Sequence, residues 1–294
     1  MTSLEALIAE GPLPVRGFIA GHSSAGKTGS LAVLANSGWN LRILDFDNNP
    51  EPLIANVVPE ARSRVTIQAL EDDYTTGDQR IEIQGAPRAW PTALRLLVNW
   101  KTKQEDLGSI LRWGLNDVLV IDSLSGAGQA ALNWQVYKNN RAAYGPRLRE
   151  FGLAMDDLGT FLEMISRPAL KCHVLVITHL SLIGPKEPMA QSGEDELNEK
   201  LREQFVKTSE FIPTRYYPTA LGRKLPPEVL RAFPLCVLAE AVQQGSAAKR
   251  QLYTGPRAEF DVKVPFKGVR TTLPIETGLL DIFKAAGHNP PGLS

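Results

Sequence analysis

The run Gly21-His22-Ser23-Ser24-Ala25-Gly26-Lys27-Thr28 fills every fixed position of the phosphate-binding loop pattern G-x-x-x-x-G-K-[ST], with Gly29 directly behind it. The chemistry of such a loop is anion capture. Backbone N–H groups and a helix N-terminus aim at one point, Lys27 reaches β- and γ-phosphates, and Thr28 offers a hydroxyl to Mg2+. The alternative is a glycine-bounded turn that carries a lysine by accident, and the flanking elements argue against it. A loop of this kind also needs a carboxylate on a neighbouring strand for the Mg2+ shell. Asp122, which ends the apolar run Val118-Leu119-Val120-Ile121, stands in that position. Its other reading is a strand-terminal Asp that caps the following helix. Asp45-Phe46-Asp47 ends the strand after the loop's helix. Strand alternation predicts Asp45 and Asp47 on one side, where an acid can orient a water for in-line attack on a γ-phosphate.

The elements that must hold these residues are legible in the pattern. Val15 to Ala20 is a short buried strand, and Gly29 to Asn36 a helix that ends near Gly38. Leu41–Asp47, Val65–Leu70, Val118–Asp122 and His173–Thr178 are further strands. Helices are expected over Leu4–Ile8, in one or two pieces between Pro91 and Trp113, over 126–136 and over 147–166. Strands alternate with helices up to residue 179, which predicts an α/β fold with a mainly parallel central sheet. The segments 235–242 and 249–254, joined by Gln243-Gln244-Gly245-Ser246, are expected as antiparallel additions, followed by a short helix at 279–286. Residues 181–226 are polar and broken by five prolines, with Pro227 directly after, a long loop of the functional or disordered sort. The whole is expected to be one domain.

At 294 residues the chain has room for a sizeable core, with 43% hydrophobic and 22% charged residues. The formal net charge is zero, so any nucleic-acid surface must be local. Cys172 and Cys236 lie in apolar runs and are expected as core residues on strands. No basic-then-apolar leader opens the sequence and no apolar run approaches the ~20 residues of a membrane span, which predicts a cytoplasmic protein without a membrane partner.

Taken in order, these motifs resemble the RecA-like ATPases: a phosphate-binding loop, an acid on the next strand, a hydrophobic strand ending Asp122-Ser123, and a strand ending in the polar pair Thr178-His179. RecA recombinases carry Asp-Ala-Glu where this chain has Asp45-Phe46-Asp47, and Asn-Gln where it has Thr178-His179. More narrowly, Asp45-Phe46-Asp47-Asn48, Ile121-Asp122-Ser123-Leu124 and Thr178-His179 are similar to the phage-encoded RecA-like ATPases known as phage nucleotide-binding proteins. Some of these act as single-strand annealing proteins. Ser123 rules out the Asp-Glu pair of AAA+ machines, and no lysine stands at 22 or 23 as in ParA-type ATPases. The resemblance covers about residues 14–284 and implies a RecA-like core with ATP and Mg2+ as cofactors.

Within it, residues 21–29 hold the nucleotide, Thr28 and Asp122 the metal, and Asp47 activates water. The Asp47 side chain is one methylene shorter than the recombinase glutamate, which implies slow hydrolysis or a differently placed water. His179 is a candidate sensor of nucleotide state; a histidine that merely satisfies a backbone carbonyl is the other reading, and no second His or Cys at ligand spacing supports a metal role. Lys249-Arg250 corresponds to basic residues that reach into a neighbour's ATP site, implying a head-to-tail homo-oligomer, filament or ring; a basic pair blunting an edge strand is the alternative.

The segment Trp134–Arg149 interleaves cations and aromatics, the combination that binds single strands. Lys138, Arg141, Tyr144, Arg147 and Arg149 are the candidate DNA contacts, with Trp134 and Tyr137 either stacking on bases or packing inward; Lys207, Arg215, Tyr216 and Tyr217 are weaker. The expected function is an ATP-dependent single-stranded-DNA-binding protein of recombination or annealing, with a single-strand DNA-binding protein as a further partner. The alternatives are an oligomeric ATPase that does not grip DNA and a small-molecule kinase, for which no arginine-rich lid is evident.

Overall fold

The computed structural model describes residues 11–76, 81–103, 105–140, 145–183, 215–221, 225, 229–244 and 247–291. In chain order the strands are β1 (Arg16–Gly21), β2 (Asn40–Asp45), β3 (Val65–Ala69), β4 (Tyr74–Thr76), β5 (Ile81–Ile83), β6 (Trp100–Lys101), β7 (Asp106–Gly108), β8 (Asp117–Asp122), β9 (His173–Thr178), β10 (Leu180–Ile183), β11 (Arg215–Pro218), β12 (Leu235–Gln244), β13 (Ala247–Tyr253) and β14 (Thr272–Pro274). Eight of them form one mixed sheet in the order β14-β13-β12-β1-β9-β8-β2-β3. The run from β12 to β3 is parallel throughout, and β13 and β14 extend it antiparallel. The pairs β4–β5, β6–β7 and β10–β11 stand outside this sheet.

Helices cover both faces, which is why β1, β8 and β9 are apolar at nearly every position rather than alternating. On one face Trp90, Ala93, Leu96 and Leu97 of the Ala89–Val98 helix pack with Leu158, Phe161, Leu162 and Ile165 of the Leu148–Ser166 helix. On the other, Leu31 and Leu34, just after the 21–28 loop, pack with Leu279, Ile282 and Phe283 of the Gly278–Ala285 helix. Trp39 meets Phe283 edge to face at 5.2 Å, so the C-terminal helix clamps the segment that carries the loop. Among the described residues no helix is long and apolar enough to cross a membrane.

Several expectations are corrected. β12 runs parallel to β1, so the first C-terminal strand widens the central sheet instead of joining it antiparallel. The apolar residues Ile110 and Leu111 belong to a 3-10 turn after the β6–β7 pair, not to a second helix; the short polar stretch after Trp100 turns the chain back first. Within the 181–226 segment, Ser181–Ile183 of β10 and Arg215–Pro218 of β11 belong to an antiparallel pair that runs from Leu180–Pro218 to Ile183–Arg215. Strand β2 stops at Asp45, so Asp47 lies on the turn beyond it and the two acids do not share a strand face. Cys236 is on β12 and Cys172 just precedes β9; both are buried free thiols pushed up to about 12 by burial. The expected Leu4–Ile8 helix, the Gly245-Ser246 turn and most of 181–226, Lys207 included, lie outside the described residues.

At the opposite end of the strands from the 21–28 loop, His173 is fully buried. Its Nδ1 accepts from the Val15 amide and its Nε2 donates to the Leu115 carbonyl, both at 2.9 Å, so the ring ties β9 to the starts of β1 and β8. Burial first, then the nearby His288 and Arg16, push its pKa from 6.5 down to about 3, against the Leu115 bond. The unfolded chain therefore takes up a proton near pH 6.5 that the fold refuses until about pH 3. Stability from this group falls as pH drops through that window, by about 1.4 kcal/mol per pH unit. Urea midpoints are expected to fall between pH 6 and 4. His173→Phe should cost about 1–3 kcal/mol at pH 7 for the orphaned Val15 amide, and should flatten the slope. An unchanged slope in the variant contradicts the assignment.

Candidate functional site

Parallel registry brings four strand ends to one edge. Ala20 pairs with Thr178 and Asp45 with Asp122, so the chain leaves β1, β9, β8 and β2 at the same level. The carboxyl edge of a parallel sheet is where α/β folds form ligand crevices. A cleft of about 620 Å³ opens there, lined by the 21–28 loop, Asp47, Asp122, His179, Arg250, Ile275 and Glu276.

The loop is shaped by two left-handed residues, Ser24 (φ 64°) and Gly26 (φ 88°), the second of which starts the Lys27–Ser30 helix. Gly21 is required for a different reason. A Cβ there would overlap the Ala239 carbonyl of β12. Lys27 is only 6% exposed, and its Nζ donates to the carbonyls of Gly21 and His22 at 2.9 Å each. Burial lowers its pKa, opposed by the charges of Asp122 and Asp47. A desolvated ammonium held at the mouth of a loop of backbone amides is a site that favours an anion.

The acidic side faces it. Thr28 Oγ1 donates to Asp122 Oδ2 at 2.7 Å. Burial raises Asp122 to about 6; repulsion from Asp47 and Asp45 adds to this, while Thr28 and Lys27 oppose it. Asp45 also lies above the usual range because of burial, and its Oδ1 is spent on the amides of Asn48 (2.8 Å) and Asp47 (3.2 Å), where it caps the turn after β2. Of the two acids at the end of β2 and the turn after it, Asp47 is the one that lines the cleft. Its Oδ1 accepts from Ser123 Oγ at 2.7 Å and its Oδ2 lies 3.4 Å from His179 Nε2. Burial pushes Asp47 up, but His179, Ser123 and Lys27 outweigh it and hold the carboxyl below its ordinary value. Both side chains remain about one-third exposed, at 31% for Asp47 and 36% for His179.

Among the described residues no three His, Cys, Asp or Glu side chains converge to hold a metal unaided. A magnesium ion does not require that, since one or two protein oxygens beside substrate phosphates and waters suffice. Asp122 and Asp47 both act on the buried Lys27, and repulsion from Asp47 and Asp45 adds to the burial that raises Asp122. The Thr28 hydroxyl with the Asp122 carboxylate is a donor set that fits a hard divalent cation.

Arg250 also lines the cleft: its Nε donates to the Ser24 carbonyl of its own chain at 2.9 Å. Lys249, its neighbour on β13, is exposed and outside the cleft, so the expected basic pair is split between two faces. Lys138, Arg147 and Arg149 are exposed, and Arg141 and Tyr144 lie outside the described residues. Trp134 and Tyr137 stack on each other at 6.0 Å with Lys138 Nζ 6.0 Å from the Trp134 ring centroid, and Tyr137 stays 41% exposed. Their packing is thus partly mutual, not wholly inward.

Sequence reasoning did not anticipate three contributors. Ser123 both caps the Leu124–Lys138 helix, through the Gly126 amide at 3.3 Å, and orients Asp47; the Asp-Ser pair was its only signal. Tyr216 of β11, expected only as a weaker DNA contact, packs edge-on against His22 at 5.3 Å, a contact across the chain that no local pattern signals. Gly126 lies against the turn: a Cβ there would come 2.7 Å from Phe46 Cβ and 2.8 Å from Asp47 Oδ1.

A scan of the chain against protein-family models finds no match, and a search of curated proteins finds none either. The site is therefore read from its own chemistry.

Gly126→Ala should displace Asp47 and cost about 1–3 kcal/mol in urea unfolding, the usual penalty for overpacking a fixed site. An unaltered midpoint contradicts the tight packing of this turn.

Proposed function

We propose that the chain is a RecA-like P-loop ATPase whose nucleotide state controls a grip on single-stranded DNA. The observation that carries this reading is the convergence, in one cleft at the carboxyl edge of a parallel sheet, of Lys27, Thr28–Asp122 and Asp47–His179. The order of the motifs along the chain and the parallel sheet support a RecA-like core.

In this reading the amides of 21–28 and Lys27 cradle the β- and γ-phosphates. Thr28 and Asp122 hold Mg2+, which when bound neutralises charge on the β- and γ-phosphate oxygens. Asp47, kept ionised by Ser123 and His179, accepts a hydrogen bond from the attacking water. As the water oxygen bonds to the γ-phosphorus, the bond from that phosphorus to the β–γ bridging oxygen breaks. ADP departs with the electron pair, and the water's proton passes to Asp47. The β10–β11 ribbon is suited to carry the outcome outward, since β10 follows His179 directly and β11 bears Tyr216 against His22. The cationic and aromatic residues Lys138, Arg147, Arg149 and Tyr137 are the side chains for a DNA strand, and Lys249 is left to reach a neighbouring subunit in a head-to-tail assembly. The mutual stacking of Trp134 and Tyr137 favours a second reading, an assembly ATPase that does not grip DNA.

Lys27→Ala is expected to abolish binding of a fluorescent ATP analogue, whereas Asp47→Asn should bind it normally and release phosphate about 10²–10⁴-fold more slowly. Normal phosphate release by Asp47→Asn removes Asp47 from the chemistry. Reversing the charge of Arg141, Arg147 and Arg149 together should abolish oligonucleotide binding at moderate salt while sparing ATP binding. DNA binding that survives this change decides for the assembly reading or for another surface.

A further inference from the structure

The antiparallel strands β13 and β14 return the C-terminal part of the chain to the 21–28 loop. Ile275, whose amide donates to the Arg250 carbonyl at 3.3 Å, lines the same cleft as Arg250. The Arg250 stem crosses directly over Gly26. A Cβ at Gly26 would lie 2.9 Å from Arg250 Cδ and 3.3 Å from Ile275 Cγ1, so the second loop glycine makes room for this arginine as well as supplying its left-handed turn. The guanidinium is anchored by a single bond, Nε to the Ser24 carbonyl at 2.9 Å. Among the described residues its two terminal amino groups have no other hydrogen-bond partner. An exposed, forked cation pinned at its root beside a concave set of backbone amides is poised for an oxyanion seated in that loop.

We infer that Arg250 completes the phosphate site of its own chain, supplying in cis the arginine that stabilises charge on the transferred γ-phosphoryl oxygens. This rests on the nucleotide reading above and departs from the resemblance, which implies donation to a neighbouring subunit. The bond to Ser24 fixes the stem, and Arg250 lines the same cleft as Lys27. Assembly is then not needed to complete the phosphate site, whatever it adds through Lys249 or DNA.

A mixing experiment separates the two geometries. Arg250→Ala has an intact loop without its arginine; Lys27→Ala has the arginine without a working loop. Donation in cis predicts that Arg250→Ala lowers kcat about 10³-fold or more, the scale of an arginine finger. Arg250→Lys, which keeps charge without the fork, should recover only part of it. An equimolar mixture of Arg250→Ala and Lys27→Ala should then show no more than the sum of the separate activities, and wild-type specific activity should not change on dilution. Restoration of phosphate release in the mixture, or unchanged kcat in Arg250→Ala, overturns the inference while leaving the nucleotide site in place. A wild-type chain that neither binds nor hydrolyses any triphosphate overturns the nucleotide reading itself, and with it the inference.

Discussion

A buried ammonium organises this molecule. Lys27 is nearly sealed from water, and the bonds it makes in the structure go to two backbone carbonyls, Gly21 and His22. Neither neutralises it. A desolvated cation is costly unless opposite charge lies close, and here that charge comes from strands distant in sequence: Asp122 at the end of β8 and Asp47 beyond β2. The loop can be held in this form only if β1, β8 and β2 end at the same level. Parallel pairing across β9, with helices burying both faces, provides that.

The carboxylates in turn are crowded. Asp45 withdraws by capping its own turn, Asp122 is raised by burial and tied to Thr28, and Asp47, between Ser123 and His179, is the one of the three held below its ordinary value. Three acids of one type thus acquire three roles from burial and hydrogen bonding. Positive and negative groups face each other across the cleft; His179 lines it and directly precedes β10, and Tyr216 on the partner strand β11 packs against His22 of the loop. Under the proposed function, an occupant of the cleft would act on the β10–β11 pair through these two side chains.

The α/β class, the central parallel strands and the grouping of Lys27, Thr28 and Asp122 were legible in the sequence because each has a local signal: apolar runs of strand length, a spaced glycine-lysine motif, an acid closing a strand. What escaped was set by long-range packing. Asp45 and Asp47 look equivalent in a strand pattern, and only the hydrogen bonds of Asn48 to Asp45 and Ser123 to Asp47 separate them. The parallel course of β12 follows from its contact with β1, which a short turn to β13 does not reveal. Arg250 belongs to a basic pair on the page of the sequence, but strand alternation sends it and Lys249 to opposite faces, one over the loop and one away from it.

The central claim is that the opposed charges around Lys27 exist to hold a magnesium triphosphate. Calorimetric titration of the full chain with a non-hydrolysable ATP analogue tests it most directly. The account predicts one site per chain, with affinity weakened at least tenfold when Mg2+ is replaced by EDTA and weakened further as salt rises. No binding at millimolar analogue with Mg2+ present, or binding indifferent to Mg2+, would contradict it.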